Sequence, residues 1–540
     1  VRGNLVIDHN AVLRIEHDLT VNGFLRMGSY LEGILEFPDD ISREVTVNGN
    51  LRLTTNDNSE VRVDNSNPNS LEHTFNVAGN IQLDQGSGFD LFSDNTTGNN
   101  VILNILGEES TSFTNTDGMQ VELYRLVVNK QSSDDFSIDT DFNLQGPTNG
   151  DPKALELISG RLMLNNSGID LTLSSGGADF YIPAAATLYT GSSSTVRITG
   201  DNTGILLDGH IHAGWDTKWY LNGGTNNYIE YTASGNAEID IYQAEFYVGS
   251  HIRRSTATEE GILRFEQNHS NSTVEIGTNA HLGGETNRGI FELVNTGCYF
   301  SQVADARLSI ANAVPNASVP SLYLNLDASE MSLGDNSVIA FGNGQTSSRQ
   351  NLSVYSNNAL KDIEVDNSSG ENPSLSLHTV SLTADDLTIE SGAGFDANGQ
   401  ELTLYGDLIN QGSFAASQNT TYFSLTVNQQ ITGANTDFYN LIKNTSNTLT
   451  INDHINVLND LTLSSGILDD GGNTIYVKGD VSHTATHQSV SGGEGICLNN
   501  GSLEQQITGD GTFGILTTDN FNGINVPTGN NITISESLRM

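Results

Sequence analysis

Apolar residues alternate with polar residues in short runs along most of the chain. Leu461-Thr-Leu463 and Ile475-Tyr-Val477 are typical, and clusters of Ser, Gly, Asp and Asn separate such runs. Alternation with a period of two predicts strands that have one buried and one exposed face, and the clusters predict turns. Few segments carry the apolar stripe of a helix. The pattern therefore predicts an almost entirely β structure.

The N-terminal region repeats one short phrase. It occurs as Gly3-Asn-Leu5, Gly23-Phe-Leu25, Gly49-Asn-Leu51 and Gly79-Asn-Ile81, so the copies follow one another at a similar spacing. Two or three strands per turn, at a nearly constant turn length, can wrap a narrow core and pair with their equivalents in the next turns. The phrase predicts a right-handed parallel β-helix with rungs of about 20–30 residues. We expect its Gly-Asn step to supply a corner that tolerates positive φ.

A longer repeat occupies the C-terminal third. The phrase Asp386–Asp407 returns as Asp460–Asp480, and Gln429–Gly433 returns as Gln505–Gly509 at nearly the same shift. Three turns of about 25 residues each would make one such repeat.

These patterns divide the chain into three parts. Residues 1–130 are predicted to form regular rungs, 131–350 the same helix with longer corner loops, and 351–540 the long repeats, of about 75 residues each. The last residues stop inside a repeat, so we expect the sequence to be a slice of a longer chain. A string of β-sandwich domains is the structural alternative, but linkers and a buried Trp or Cys pair for each domain are missing from the sequence.

The charge balance restricts the partners. Acidic residues outnumber basic ones 65 to 22, which gives a formal net charge of −43. Binding to nucleic acid or to anionic membranes needs positively charged surfaces that are rich in Lys and Arg. No apolar run approaches the roughly 20 residues that span a bilayer. The sequence predicts neither nucleic-acid binding nor membrane insertion.

The two cysteines, Cys298 and Cys497, are far apart in the sequence. In a solenoid of about 25 residues per turn and about 4.8 Å between turns, they would be on the order of 40 Å apart. A disulfide needs Cα atoms within about 7 Å. We expect the two thiols not to be paired.

The C-terminal repeats resemble a known group of proteins. The phrases Gln429–Gly433, Phe438–Leu441, Asn459–Leu468 and Gly472–Asp480 are similar to those of large Bacteroidetes surface proteins. These are β-solenoid adhesins exported by the type IX secretion system, and some are gliding-motility adhesins. The resemblance is best over 351–540, weaker over 122–177 and faint elsewhere. It implies a β-solenoid at the cell surface or outside the cell, with secretion-machinery proteins, glycans or external surfaces as partners.

One stretch stands out by its chemistry. Asp208–Tyr220 holds both tryptophans, Trp215 and Trp219, beside Tyr220. Aromatic rings form flat surfaces on which sugars stack. These three residues are the candidate glycan-binding residues, and the alternative is that the tryptophans cover the core.

His210 and His212 would share one strand face and offer two imidazoles to a metal. The sequence gives no third ligand, so no metal site is predicted. Calcium could bind weakly at corners such as Asp469–Asn473, but no cofactor is expected otherwise. Acidic pairs such as Asp469-Asp470 point to opposite faces of a strand, so no catalytic residue is predicted.

The sequence thus predicts a structural or adhesive rod segment of a large extracellular surface protein rather than an enzyme. The alternative is a carbohydrate-active β-helix protein, either a polysaccharide lyase or glycosidase or a glycan binder.

Overall fold

The protein is almost entirely β and folds as a β-solenoid of about 21 turns, which confirms the predicted fold class. The computed structural model describes residues 1–54, 59–116, 120–131, 133–150, 152–279, 288–314, 318–415, 417–433, 436–500 and 503–540. Within these ranges the only helical element is the 3-10 turn Ala328–Glu330. Two compact units are present, Val1–Val274 with Gly297–Tyr299, and Glu275–Thr296 with Phe300–Met540.

The first unit is built from five parallel ladders. Ladder 1 consists of Leu5–Ile7, Leu25–Met27, Leu51–Leu53, Ile81–Leu83, Thr111–Asn115, Asp135–Ile138, Leu155–Leu164, Ala186–Thr190, His210–Ala213, Asn236–Ile241 and Ile262–Gln267. Ladder 2 consists of Leu19–Val21, Glu44–Val47, Glu72–Val77, Asn100–Ile105 and Arg125–Asn129, and it joins ladder 1 at the long strand Leu155–Leu164. Ladder 3 consists of Ala11–Arg14, Gly33–Phe37, Glu60–Val63 and Gly88–Phe89, with Val121–Leu123 and Phe142–Leu144 as a separate pair. Ladder 4 consists of Asp170–Ser174, Thr195–Ile198, Lys218–Leu221 and Glu245–Val248, and ladder 5 of Phe180–Ile182, Ile205–Leu207, Ile229–Tyr231 and Ile252–Arg254.

The second unit contains four ladders. Ladder 6 consists of Arg307–Ile310, Val338–Phe341, Asp362–Val365, Leu387–Ile389, Leu408–Asn410, Gln429–Thr432, Thr448–Ile451, Ile467–Asp469, Thr486–Gln488, Thr512–Thr518 and Thr533–Arg539. Ladder 7 consists of Phe291–Leu293, Leu322–Leu324, Asn351–Ser356, Ser374–Leu377, Gly394–Asp396 and Ser413–Ala415. Ladder 8 consists of Leu382–Ala384, Leu402–Leu404, Thr420–Phe423, Asn440–Lys443, Leu461–Leu463, Val481–His483, Gln505–Thr508 and Ile524–Asn525. Ladder 9 consists of Thr436–Phe438, Ile455–Val457, Thr474–Val477 and Gly495–Leu498. Three strands are not assigned to these nine ladders: Met331–Leu333 and, at the unit boundaries, Thr273–Ile276 and Tyr299–Gln302.

The strand register of ladder 1 follows the spacing of the N-terminal phrase. Leu5 pairs with Leu25, Leu25 with Leu51 and Leu51 with Ile81, so each copy of the phrase stands directly on the previous one. Leu25, Leu51 and Ile81 are fully buried. Each such aliphatic side chain contributes about 1.5–3 kcal/mol to the free energy of unfolding. The core is therefore a column of apolar side chains taken from consecutive turns.

The two cysteines are free, and both are buried. The prediction that Cys298 and Cys497 are not paired is confirmed.

The Gly-Asn corners have a different physical basis from the predicted one. None of Gly23, Gly49 and Gly79 has positive φ. A Cβ atom on Gly49 would lie 2.8 Å from the carbonyl oxygen of Gly23, and one on Gly79 would lie 2.5 Å from that of Gly49. The side chain of Asn50 accepts a hydrogen bond from the backbone amide of Asn80 at 2.9 Å. Glycine is needed because consecutive turns touch there, and the asparagine binds the next turn.

The sequence predicts that each long repeat makes three equal turns, and this prediction is wrong. Turn length varies within ladder 8, because the turn that brings Leu402 to Thr421 is shorter than the one that brings Val481 to Ile507. The shift from Asp386 to Asp460 is therefore not a whole number of turns. As a result, the strand after Asp386 belongs to ladder 6, whereas the strand after Asp460 belongs to ladder 8.

The two copies of the repeat share a local contact instead. Asp386 Oδ1 accepts a hydrogen bond from the Asp407 amide at 2.6 Å, and Asp460 Oδ1 accepts one from the Asp480 amide at 2.8 Å. In both copies the carboxylate ties the start of a strand to the start of the equivalent strand one turn later. The repeat thus preserves a stacking contact rather than a position around the solenoid.

The division at residues 130 and 350 concerns the regularity of the repeats and stays a prediction.

Over the part of the chain that the structure describes, no helix has the length and apolar character needed to cross a membrane.

Candidate functional site

The candidate site lies on the outer face of ladder 4, on the strand Lys218–Leu221 and the loop before it. Side chains alternate along this strand, so Lys218 and Tyr220 point outward while Trp219 and Leu221 point inward. The strand therefore separates two of the three residues predicted to bind glycans.

Trp219 belongs to the core. Its side chain is fully buried, and its ring packs 5.7 Å from the ring of Phe246. The indole Nε1 donates a hydrogen bond to Thr190 Oγ1 at 2.9 Å, which satisfies its polar atom inside the protein. The glycan-binding prediction is therefore wrong for Trp219, because no ligand can reach this ring from the surface.

Tyr220 is partly exposed, but both of its ring faces are covered. The guanidinium of Arg197 lies 4.9 Å from the ring centre, and the ring of Tyr247 stacks at 5.6 Å with an interplanar angle of 4°. The hydroxyl donates a hydrogen bond to Glu245 Oε2 at 3.0 Å. Burial, together with this hydrogen bond, raises the pKa of Tyr220. A sugar could touch only the edge of this ring.

Trp215 is the one predicted residue with a ring open to solvent. Its side chain is 54% exposed and packs edge-on against His269, with ring centres 5.2 Å apart. The next residue in the chain, Asp216, lines a surface groove of about 510 Å³. The groove is lined by Ser193, Asp216, Thr217, Lys218, Gln243, Ala244, Glu245, Asn271 and Thr273. We call this groove together with Trp215 the Trp215 groove.

The Trp215 groove is polar and fixed by its own contacts. Gln243 Nε2 donates a hydrogen bond to Asp216 Oδ1 at 3.0 Å, and the backbone amide of Asp216 donates to the Gln243 carbonyl at 2.7 Å. The ammonium of Lys218 lies 3.8 Å from Glu245 Oε1. Carboxylate, amide, hydroxyl and ammonium groups beside an exposed indole are the donors, acceptors and apolar surface that a sugar ring requires.

The sequence did not identify the residues that the groove takes from later turns. Glu245 pairs in register with Lys218, which places it one full turn further along the chain. Gln243 and Asn271 enter the groove in the same manner, from the corners of the following turns. The alternation within Lys218–Leu221 was visible in the sequence and would have placed Trp219 inside.

The structure does not test the predictions about weak calcium binding and catalytic residues. At the corner Asp469–Asn473 the carboxylate of Asp470 is fully buried, and it accepts hydrogen bonds from His487 and from the Gly472 amide. Internal partners therefore occupy a carboxylate that calcium would need. Weak calcium binding and the lack of catalytic residues stay predictions.

Comparison with known proteins adds no family assignment. No protein-family model matches the chain, and neither curated proteins nor solved structures show significant similarity to it.

Proposed function

We propose that this chain is a structural segment of a large extracellular surface protein and that it displays a glycan-binding groove on ladder 4. The observation that carries the proposal is the exposed indole of Trp215 beside the polar groove of about 510 Å³. An exposed aromatic ring next to fixed hydrogen-bonding groups is the usual arrangement for holding a sugar without transforming it.

The structural part of the proposal is supported by the stacking of turns. Within each unit, each ladder pairs strands from consecutive turns, and side chains such as Leu51 and Ile81 fill the interior. In such repeat proteins each turn depends mainly on its neighbours, and the outer surface is free for binding. The net charge of −43 adds solubility and disfavours anionic surfaces.

The proposed location at the cell surface or outside the cell rests on the resemblance of the C-terminal repeats to Bacteroidetes surface adhesins. The β-solenoid agrees with the fold that this resemblance implies. On the same basis we propose export by a type IX system and a role in gliding. The proposed partners are proteins of the secretion machinery or external surfaces.

Titration with glycans should change the fluorescence of Trp215. Chito-oligosaccharides, xylan, pectin and alginate oligosaccharides are suitable probes, and at least one should give a saturable change. Isothermal titration calorimetry with the same glycan compares the unchanged chain with Trp215→Ala, which lacks the fluorescent reporter. This variant should bind about tenfold or more weakly, since removing a stacked aromatic costs on the order of 1.4 kcal/mol. Trp219 is buried and supplies a constant background signal.

Tyr181→Ala is the matched control, because Tyr181 is a 45% exposed aromatic side chain outside the groove lining. It should bind the same glycans as the unchanged chain. Equal binding by the Trp215→Ala variant would contradict the proposed groove. Release of new chain ends from a polysaccharide by the unchanged protein would instead favour the carbohydrate-active alternative.

A further inference from the structure

Two histidines and an aspartate meet on the outer face of ladder 1. His210 and His212 lie on the strand His210–Ala213, and their side chains share its outer face, with Ile211 and Ala213 buried beneath. Asp240 lies on the next strand, in register with His212. One possible ligand atom from each of the three side chains lies within 4.8 Å of the others.

His212 is held in place from several sides. Its ring stacks on Tyr189 at 4.2 Å with an interplanar angle of 8°, and the ring of Tyr242 lies 5.0 Å away. His212 Nδ1 lies 3.1 Å from Asp240 Oδ2. Asn268 donates a hydrogen bond to Asp240 Oδ1, which fixes the orientation of the carboxylate. Such supporting contacts orient the ligands in known metal sites.

His210 supplies an independent indication. Its Nε2 atom is buried and has no hydrogen-bond partner within the described part of the chain. A buried polar atom without a partner is costly, and a bound ion would remove that cost.

We propose that His210, His212 and Asp240 form a binding site for a divalent transition-metal ion of the Zn²⁺ class. Imidazole nitrogen and carboxylate oxygen are ligands that Zn²⁺, Ni²⁺ and Cu²⁺ accept. Two ligands at the usual distances of about 2.0–2.1 Å from a tetrahedral ion are separated by about 3.3 Å, close to the spacing of the His212 and Asp240 atoms. Three protein ligands leave a fourth position for water.

The site is independent of the Trp215 groove, because it lies on another ladder and uses none of the groove residues. The sequence alone offered the two imidazoles but not the third ligand. Asp240 follows His212 by one full turn, and only the register of the two strands brings them together.

The test is a calorimetric titration of the full chain, without a polyhistidine tag and freed of metal by a chelator, with ZnCl₂. One equivalent of Zn²⁺ should bind per chain. His210→Ala and Asp240→Asn, measured separately, should each weaken binding about 100-fold or more, the upper range seen even for supporting residues. His17→Ala removes an exposed histidine elsewhere and should leave binding unchanged.

A second measurement does not depend on any variant. Cu²⁺ bound to the unchanged chain should give an electron paramagnetic resonance spectrum with coupling to two imidazole nitrogens. Circular dichroism of each variant checks that it is folded. Absence of a saturable one-equivalent binding of Zn²⁺, or equally tight binding by both ligand variants, would overturn the proposal.

Discussion

Replacing His487 by alanine should lower the local stability of the second unit by about 1.5–3 kcal/mol, the range for losing a hydrogen bond to a buried charged group. His487 and Asp470 are both fully buried, and His487 Nε2 lies 3.1 Å from Asp470 Oδ2. Burial opposes ionisation of Asp470, but hydrogen bonds from His487, Ser489 and the Gly472 amide together lower its pKa. The variant would leave this carboxylate buried with one partner fewer.

Hydrogen exchange followed by mass spectrometry is the suitable measurement, because a solenoid can open locally without complete unfolding. Peptides that cover Ile467–Gln488 should exchange much faster in the His487→Ala variant. His378→Ala is the control in the same unit; His378 is only partly buried, and such a change is expected to stay within about 0.5 kcal/mol. Unchanged exchange in the His487→Ala variant would show that the buried pair contributes little.

The free energy of unfolding should fall by about 3 kcal/mol between pH 6.5 and pH 4 because of His73 alone, at about 1.4 kcal/mol for each pKa unit. His73 is fully buried, and its ring lies 5.1 Å from that of Phe37. Its Nδ1 accepts a hydrogen bond from the Arg43 amide at 3.1 Å. Burial lowers the pKa of His73 to about 4.

The sign follows from proton binding. Between pH 6.5 and about 4 the unfolded chain carries a proton on His73, whereas the folded chain does not. Acid therefore favours the unfolded state, and stability rises with pH across this range.

The variant His73→Asn isolates this contribution, because its amide oxygen can still accept the Arg43 hydrogen bond but does not titrate. Urea unfolding at several pH values, followed by the fluorescence of the two tryptophans in the same unit, gives the free energy for both proteins. Other titrating groups cancel in the difference. The gap between the two proteins should shrink by about 3 kcal/mol toward pH 4, and a constant gap would contradict the assignment.

The fold was predictable because its signals are local. The period-two alternation and the spacing of Leu5, Leu25, Leu51 and Ile81 already contained the parallel register. The inward position of Trp219 was equally present in the alternation of its strand.

Contacts between turns were harder to predict because the turn length varies. Within one ladder, the turn from Leu5 to Leu25 is clearly shorter than the turn from His212 to Asp240. Without the register of each turn, a sequence does not reveal which polar side chains are neighbours. For this reason the sequence did not show the third potential metal ligand or the residues from later turns that line the Trp215 groove. It also did not show that the strand after Asp460 belongs to a different ladder from the strand after Asp386.

The central claim is that consecutive turns stack in parallel and in register, and engineered disulfides test it most directly. Thr462 pairs with Ser482, and Ser482 pairs with Thr508. Paired residues in adjacent turns are about 4.8 Å apart, so Thr462 and Thr508, which are two turns apart, are separated by about 10 Å. With Cys298→Ala and Cys497→Ala as background, the pair Thr462→Cys and Ser482→Cys, or the pair Ser482→Cys and Thr508→Cys, should form a disulfide detected by peptide mapping. The pair Thr462→Cys and Thr508→Cys should not, since a disulfide spans at most about 7 Å. Cross-linking of 462 to 508 with no bond in the two adjacent pairs would contradict the stacked solenoid.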